Sequence, residues 1–372
     1  MLVMLLGLAG PLLAAPRRFA IPVAVGEILA GVLFGASGLH IIDTSSQNLT
    51  LLSQIGFALV MMVTASHINL RKVFTVSLIA IALRNAGLVA IAATAIAYLA
   101  AVATGQQFNF ATLAVIMASS SAAVVLPSFS GVPQSVANAG LFFSQVAVSD
   151  LLAIIVLPLV AGSANTGRVA IGAAAISITA VVIYFLLRWA QTSGDWKRMR
   201  KFSALHGFGL ELRLSFILLL ALIVLAKSFA VTIMIAGFGL GLAIAANGLP
   251  HRLAKQLFAV SEGFFSPVFF VLLGAGINVS AVFASSNLLL MALMLGFGSI
   301  VAHLVPMLFG MPLSFAVASS AQLGVPAAAV SIGLATHTLD AGQSAAIMLG
   351  AIITLAATAI AAAAKKSGSV SG

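Results

Sequence analysis

The chain has 372 residues, 62% of them hydrophobic and only 6% charged, with a mean hydropathy of +1.21 and a formal charge of +10. So little charge excludes a soluble domain, and runs apolar on all sides exclude the alternating short strands of a β-barrel, which leaves an all-α polytopic membrane protein. The cations fall between apolar runs, so topology explains them better than nucleic acid does, and the chain has no cysteine for a disulfide or thiolate metal site.

Thirteen hydrophobic segments follow in order, at roughly 2–15, 20–39, 49–67, 74–103, 108–130, 135–161, 168–189, 213–228, 231–247, 256–278, 285–309, 313–337 and 341–364. A helix rises about 1.5 Å per residue, so about 20 residues cross the hydrocarbon, and most segments meet that length. The first reads as a membrane helix rather than a cleaved signal, because it lacks a basic leader and Arg17-Arg18 come after the apolar run. Between 213 and 247 only Lys227 marks a break. The expected organisation is a single membrane transport domain over 1–364. Within it lie a first repeat (1–161), a connector helix (168–189) and a second repeat (213–364), followed by a cytoplasmic tail at 365–372.

Lys and Arg set the orientation. With the C-terminus cytoplasmic, the inner side receives Arg17, Arg18, Arg71, Lys72, Arg188, Lys197, Arg198, Arg200, Lys201, Arg213, Arg252, Lys255, Lys365 and Lys366. The outer side receives Arg168 and Lys227, and Arg84 lies inside a segment. Fourteen against two supports an outside N-terminus in a bacterial-type inner membrane. The longest loop, Gln191 to Leu212, is basic and amphipathic, with Trp196 and Phe202 among four cations. It reads as a connector lying on anionic headgroups of the membrane lipids, or as a pH or lipid sensor.

The fifth and twelfth segments carry a weak echo of each other. Met117-Ala118-Ser119-Ser120-Ser121-Ala122 is similar to Val317-Ala318-Ser319-Ser320-Ala321-Gln322, and a proline follows each, Pro127 and Pro326. Each is the fifth helix of a set of six, and the odd connector makes the two sets inverted. Such paired small-polar interruptions point to a transporter whose site lies at midplane. After a turn at Gly131-Val132-Pro133, the sixth segment carries Asp150 near its middle, one of only seven acids in the chain. An ionisable group at that depth costs about 2.5–3.5 kcal/mol or more and is a functional-site hypothesis by default. The expectation is that Asp150 alternately carries a proton and a monovalent cation. Hard cations take oxygen ligands, so freed carbonyls near 119–125 and the hydroxyls of Ser120, Ser121 and Ser149 are candidates to complete the shell.

Four motifs carry a resemblance to a known family: Gly26-Glu27-Ile28-Leu29-Ala30-Gly31 with its continuation to Leu39, Ser120-Ser121-Ala122-Ala123-Val124-Val125-Leu126, Asp150-Leu151-Leu152-Ala153-Ile154-Ile155, and Phe269-Phe270-Val271-Leu272-Leu273-Gly274. In this order they resemble the monovalent cation:proton antiporter superfamily, closest to the branch of potassium-efflux and NapA-type sodium/proton antiporters. The resemblance implies two inverted repeats, a dimerisation domain with a mobile core domain, and interrupted helices crossing beside Asp150. It also implies alternating access and a homodimer.

Several positions depart from the family pattern. Ser149 stands where electrogenic members have a second acid, so one acid implies electroneutral one-for-one exchange. Ala122 replaces the usual Thr, and Gly324-Val325-Pro326 replaces Gly-Glu-Phe. The lysine often found in the eleventh helix is missing, and His303 is what that helix offers. Nothing in the chain resembles the nucleotide-binding domain of the potassium-efflux members.

The remaining polar residues read as support. Glu27 is expected to pair with Arg84, or else to be a second proton site. Glu262 is expected to cap the inner end of the tenth helix near Arg252 and Lys255, and His303 to hydrogen-bond between helices. Asn85, Gln145, Asn278 and Gln322 line a polar path or join helices; His67 and His337 read as interfacial. Phosphate loops, HExxH and GxSxG are missing, so no enzyme and no cofactor is expected. The reading is a secondary antiporter of Na⁺ or K⁺ against H⁺. Its rivals are a Na⁺-coupled organic-solute symporter on a similar fold and a non-transporting membrane scaffold or sensor.

Overall fold

A backbone in hydrocarbon must satisfy its own polar groups, and apolar runs of this length do so as helices. The computed structural model shows this throughout. It describes residues 1–15, 22–44, 46–68, 76–105, 109–129, 138–161, 166–229, 231–248 and 250–370, and no strand occurs among them. Arg17, Arg18, Arg71, Lys72, the Gly131-Val132-Pro133 turn, and the side chains of Pro127, Lys365 and Lys366 lie outside what is described.

In order the helices are α1 (Leu2–Ala14), α2 (Val23–Phe34), α3 (Gln47–Ser66), α4 (Val76–Thr104), α5 (Phe110–Ala118), α6 (Ala122–Ser128) and α7 (Ala139–Val160). Then come α8 (Thr166–Thr192), α9 (Gly194–His206), α10 (Leu210–Ser228), α11 (Ile233–Ala246), α12 (His251–Val260), α13 (Ser266–Ala275) and α14 (Val279–Ala284). The last are α15 (Ser286–Leu304), α16 (Leu313–Ser319), α17 (Gly324–Ala335) and α18 (Ala341–Val370). Every hydrophobic segment therefore has a helix in its place. Among the described residues eight helical stretches are long and apolar enough to cross a membrane, and α1, α2, α11 and the α5–α6 stretch are shorter apolar pieces.

Three boundaries differ from expectation. The loop read at 191–212 is largely the helix α9, in which Lys197, Arg198 and Lys201 are exposed while Trp196, Arg200 and Ser203 face the protein body. The tenth segment starts early, at His251, and α12 joins α13 through a π-helical turn, Ser261–Phe265. The last helix continues past 364 to Val370.

Small residues let helix backbones touch, which is how helices associate where water supplies no driving force. Gly31 on α2 and Gly274 on α13 face each other in this way. A methyl group on Gly31 would sit 2.1 Å from the Val271 carbonyl oxygen, and one on Gly274 would sit 2.1 Å from that of Ile28. Phe142 on α7 stacks on Phe315 of α16 with ring centroids 4.5 Å apart, and Phe129 closes on Phe142 at 5.2 Å. This aromatic wedge lies beside both interrupted regions.

Candidate ion-binding site

Both expected interruptions are present. The first separates α5 from α6 at Ser119–Ser121, where Ser119 turns extended (φ −72°, ψ 152°). The second separates α16 from α17 at Ser320–Leu323. Their freed backbone groups find partners within the protein, as burial requires. Ser119 Oγ donates to the Ile116 carbonyl (2.7 Å) and Ser320 Oγ to that of Val317 (2.7 Å). Ser120 Oγ donates to the Ser319 carbonyl at 2.5 Å, which ties one interruption to the other.

Asp150 on α7 sits at this junction with 7% of its surface exposed. Its Oδ2 accepts from the Ala122 amide at 3.1 Å. Ala122 is the first residue of α6, so the carboxylate faces the amide end of that half-helix, where the backbone dipoles favour negative charge. The bond from Ala122 is the hydrogen bond the structure gives the carboxylate, and it ties α7 to the first interruption. Ser121, next to Ala122 in sequence, is buried, and its carbonyl starts α6, accepting from the Val125 amide at 3.0 Å.

Ser149 does not join this cluster. It is buried, its Oγ has no partner, and it lines a separate apolar cavity of about 210 Å³ with Ala86, Ala90, Val115 and Ala118. Adjacent residues on a helix diverge by about 100°, which carries Ser149 away from the face Asp150 presents.

Three residues that no motif marks complete the second interruption. The Gln322 amide nitrogen donates to Thr354 Oγ1 (3.2 Å), and Gln322 Nε2 donates to Ser299 Oγ (2.9 Å). Thr358 Oγ1 donates to the Thr354 carbonyl at 2.9 Å, and the Ala318 carbonyl lies 3.4 Å from it. The sequence signal for these is faint: two threonines four apart in an alanine-rich helix. Gln322 thus acts as a strut that ties the second interruption to α15 and α18.

The other expected partners separate. Glu27 and Arg84 form no ion pair. Arg84 donates to Asn85 Oδ1 (3.1 and 3.3 Å) and lies over the Phe309 ring at 4.5 Å. Glu27 is buried on α2 with Oε2 unpartnered, because α2 packs on α13 rather than α4. Glu262 is not an end cap and pairs with neither Arg252 nor Lys255. It sits in the π-helical turn, in mid-helix, and lines a cavity. His303 bonds within its own helix, Nδ1 to the Ser299 carbonyl at 2.8 Å, and its buried Nε2 has no partner. Asn85 Nδ2 joins α4 to α7 through Gln145 Oε1 (3.1 Å), and Asn278 caps α14. These amides tie helices rather than line a path. His67 ends α3, its ring against the Val63 carbonyl, and His337 follows α17.

Two cavities open along α3, one of them beside the junction. One, about 390 Å³, reaches Ala123 and Val124 of α6 and Leu323 of the second interruption, with Thr64, Ser128 and Glu262 also on its wall. The other, about 210 Å³, is lined by Thr50, Ser53, Gln54, Ser331 and Ser344 among apolar neighbours. Along α3 the first meets Val60 and Thr64 while the second meets positions 49 to 57, so they lie toward opposite ends of that helix. Phe57 stacked on Phe269 (centroids 4.6 Å) borders the second cavity.

Paired discontinuous helices meeting beside a buried carboxylate are an arrangement found in secondary transporters. The sequence profile of the family described as "Sodium/hydrogen exchanger, transmembrane" matches residues 2–371, and the chain belongs to that family. It is 25% identical over 380 aligned residues to the "Putative Na(+)/H(+) antiporter YjbQ" of Bacillus subtilis (strain 168), covering 94% of this chain and 60% of that protein. The chain thus spans about 60% of that relative's length. Its fold is similar to that of the sodium proton antiporter MjNhaP1 from Methanocaldococcus jannaschii, with a TM-score of 0.65 over 98% of this chain and 94% of that one at 18% identity. The last likeness is one of fold.

Proposed function

We propose that the protein exchanges Na⁺ or K⁺ for H⁺, with Asp150 holding the proton and the cation in turn. The observation that carries this is the bond from the Ala122 amide to Asp150 Oδ2, which sets a buried carboxylate at the first of two interruptions that Ser120 ties together. A carboxyl group buried in hydrocarbon is stable only when neutralised, and a proton and a small cation are the two available neutralisers. Ser120, Ser121 and freed carbonyls of the first interruption are the further oxygens within reach of sequence and fold. Ser149 would contribute only after rotation of α7.

Alternating access is favoured by two cavities toward opposite ends of α3, the larger of which borders the junction. Glu262 on the larger cavity would concentrate cations at its mouth, and buried Glu27 is the candidate second proton site. A single acid at the centre makes the exchange electroneutral. By its cation distribution and family the protein would work as a homodimer in a bacterial-type inner membrane, N-terminus outside.

The test is reconstitution in liposomes with an internal pH dye and pulses of Na⁺ or K⁺. Cation-dependent pH change that Asp150→Asn abolishes supports exchange. Solute uptake without proton flux would identify a symporter, and no flux of either kind a scaffold; both outcomes reject the reading.

A further inference from the structure

We propose that α9 is an interfacial anchor, binding anionic phospholipid headgroups through Lys197 and Lys201 while Met199, Phe202 and Leu205 lie in the acyl boundary. Connectivity fixes its level: α9 links the end of α8 to the start of α10, so it runs at the membrane surface. At 3.6 residues per turn its thirteen residues divide into three sides.

The first side holds it to the protein. Ser203 is buried, Trp196 and Arg200 are half-buried, and Arg200 Nε pairs with Glu211 Oε1 of α10 at 2.6 Å. Ser203 Oγ also accepts from the Leu210 amide at 3.1 Å. The second side is open and carries the large apolar residues: Met199 and Phe202, one turn apart, are 50% and 55% exposed, and Leu205 on the outermost side is 74% exposed, with exposed Arg198 between Leu205 and Phe202 and the His206 ring against Phe202. Phe208, beyond the helix, packs edge-on to Phe202 at 5.7 Å and extends the patch. The third side carries Lys197 and Lys201, one turn apart and exposed.

A helix held to the body on one side, with large apolar residues on its open side and lysines on the third, matches the layered chemistry of an anionic bilayer surface, and Arg198 is long enough to extend its guanidinium to the phosphate level while its stem lies among the apolar residues. Trp189, 71% exposed at the end of α8, sits at the same level, where indoles favour the interface. A soluble acidic partner would match the lysines but leave Phe202 and Leu205 uncovered. This inference rests on membrane insertion and not on ion exchange.

Trp189, near the end of α8, and Trp196, inside α9, are the only tryptophans in the chain, so tryptophan fluorescence reads this region alone. The full chain is reconstituted in phosphatidylcholine vesicles containing either brominated phosphatidylglycerol or brominated phosphatidylcholine. The expected result is stronger quenching by the anionic lipid. The preference falls roughly fivefold for each lysine removed in Lys197→Gln and Lys201→Gln. Phe202→Ser with Leu205→Ser lowers quenching by both lipids and leaves the headgroup preference in place. Equal quenching by the two lipids in the native chain, or a preference untouched by the lysine substitutions, overturns the proposal. So does quenching by neither lipid together with disulfide formation between two Leu205→Cys chains, which assigns the face to a second copy.

Discussion

The amide of Ala122 donates to Asp150 Oδ2 at 3.1 Å, so an acid from one helix closes the amide end of a half-helix that begins twenty-eight positions earlier. The two residues sit in different apolar segments, and only the interruption at Ser119–Ser121 frees the amide for this use. The bond steadies the carboxylate at the first interruption.

Substitution at Asp150 separates this structural role from the chemical one. Asp150→Asn keeps an oxygen for the Ala122 amide, so thermal stability in detergent stays near the native value while cation-dependent proton flux is lost. Asp150→Leu removes the acceptor and leaves a buried amide unsatisfied, at a cost of about 1–3 kcal/mol. Comparing melting temperatures of the two variants checks the bond, and the liposome pH assay checks the chemistry.

Ser120 joins the two interruptions through the Ser319 carbonyl. Ser120→Ala deletes the donor, and the expected loss is about 1 kcal/mol of stability with a slower exchange rate, since the second interruption loses its tie to the first. Thr354→Val, which removes the acceptor of the Gln322 amide, is expected to act in the same direction. Additivity in the double variant would mean that the two ties act independently; a smaller combined effect would mean one connected unit.

Gly31 and Gly274 test the packing of α2 on α13. Gly31→Ala and Gly274→Ala each place a methyl group 2.1 Å from a backbone oxygen, so the helices must move apart. The expected destabilisation is about 1–3 kcal/mol each. Gly87→Ala is the control, with open space around it, and is expected to leave the melting temperature unchanged or slightly raised.

Glu262 lines the larger cavity without an ion-pair partner among the described residues. Its charge is expected to act over distance on arriving cations. Glu262→Gln should raise the apparent KM for Na⁺ roughly threefold to fivefold at low salt, the range set by about 1 kcal/mol at contact in water. The effect should fade as ionic strength rises. An unchanged KM at low salt would deny the residue this role.

A single central acid also predicts how the exchanger responds to voltage. One charge moved through 100 mV is worth about 2.3 kcal/mol, which an electroneutral exchanger does not use. Flux measured with and without an imposed potassium-diffusion potential should be equal when Na⁺ is the transported ion. Strong voltage dependence would mean that a second group, Glu27 or His303, moves charge in the cycle.

Much of this was legible without coordinates because a membrane makes each segment report its own environment. Hydrocarbon forces backbone hydrogen bonds to stay local, so apolar length and composition alone locate the helices, and serine runs with a following proline locate the places where a helix fails. Asp150 stood out because a lone acid in an apolar segment is too costly to be accidental. Partners were another matter. Glu27 with Arg84 looked like a pair by sign and depth, but which helices touch depends on where small residues allow close approach, and Gly31 and Gly274 bring α2 to α13 instead. Ser149 adjoined Asp150 in sequence but points into another cavity, since helical rotation separates neighbours. Gln322, Ser299 and Thr354 act together only because three segments meet at the second interruption. The sequence by itself determined the helical membrane class, the sites of interruption and the central acid, all of them properties of single segments in hydrocarbon. The tertiary structure alone decided which oxygens and amides face that acid, because pairing between helices is set by side-chain volume and crossing geometry across distant parts of the chain.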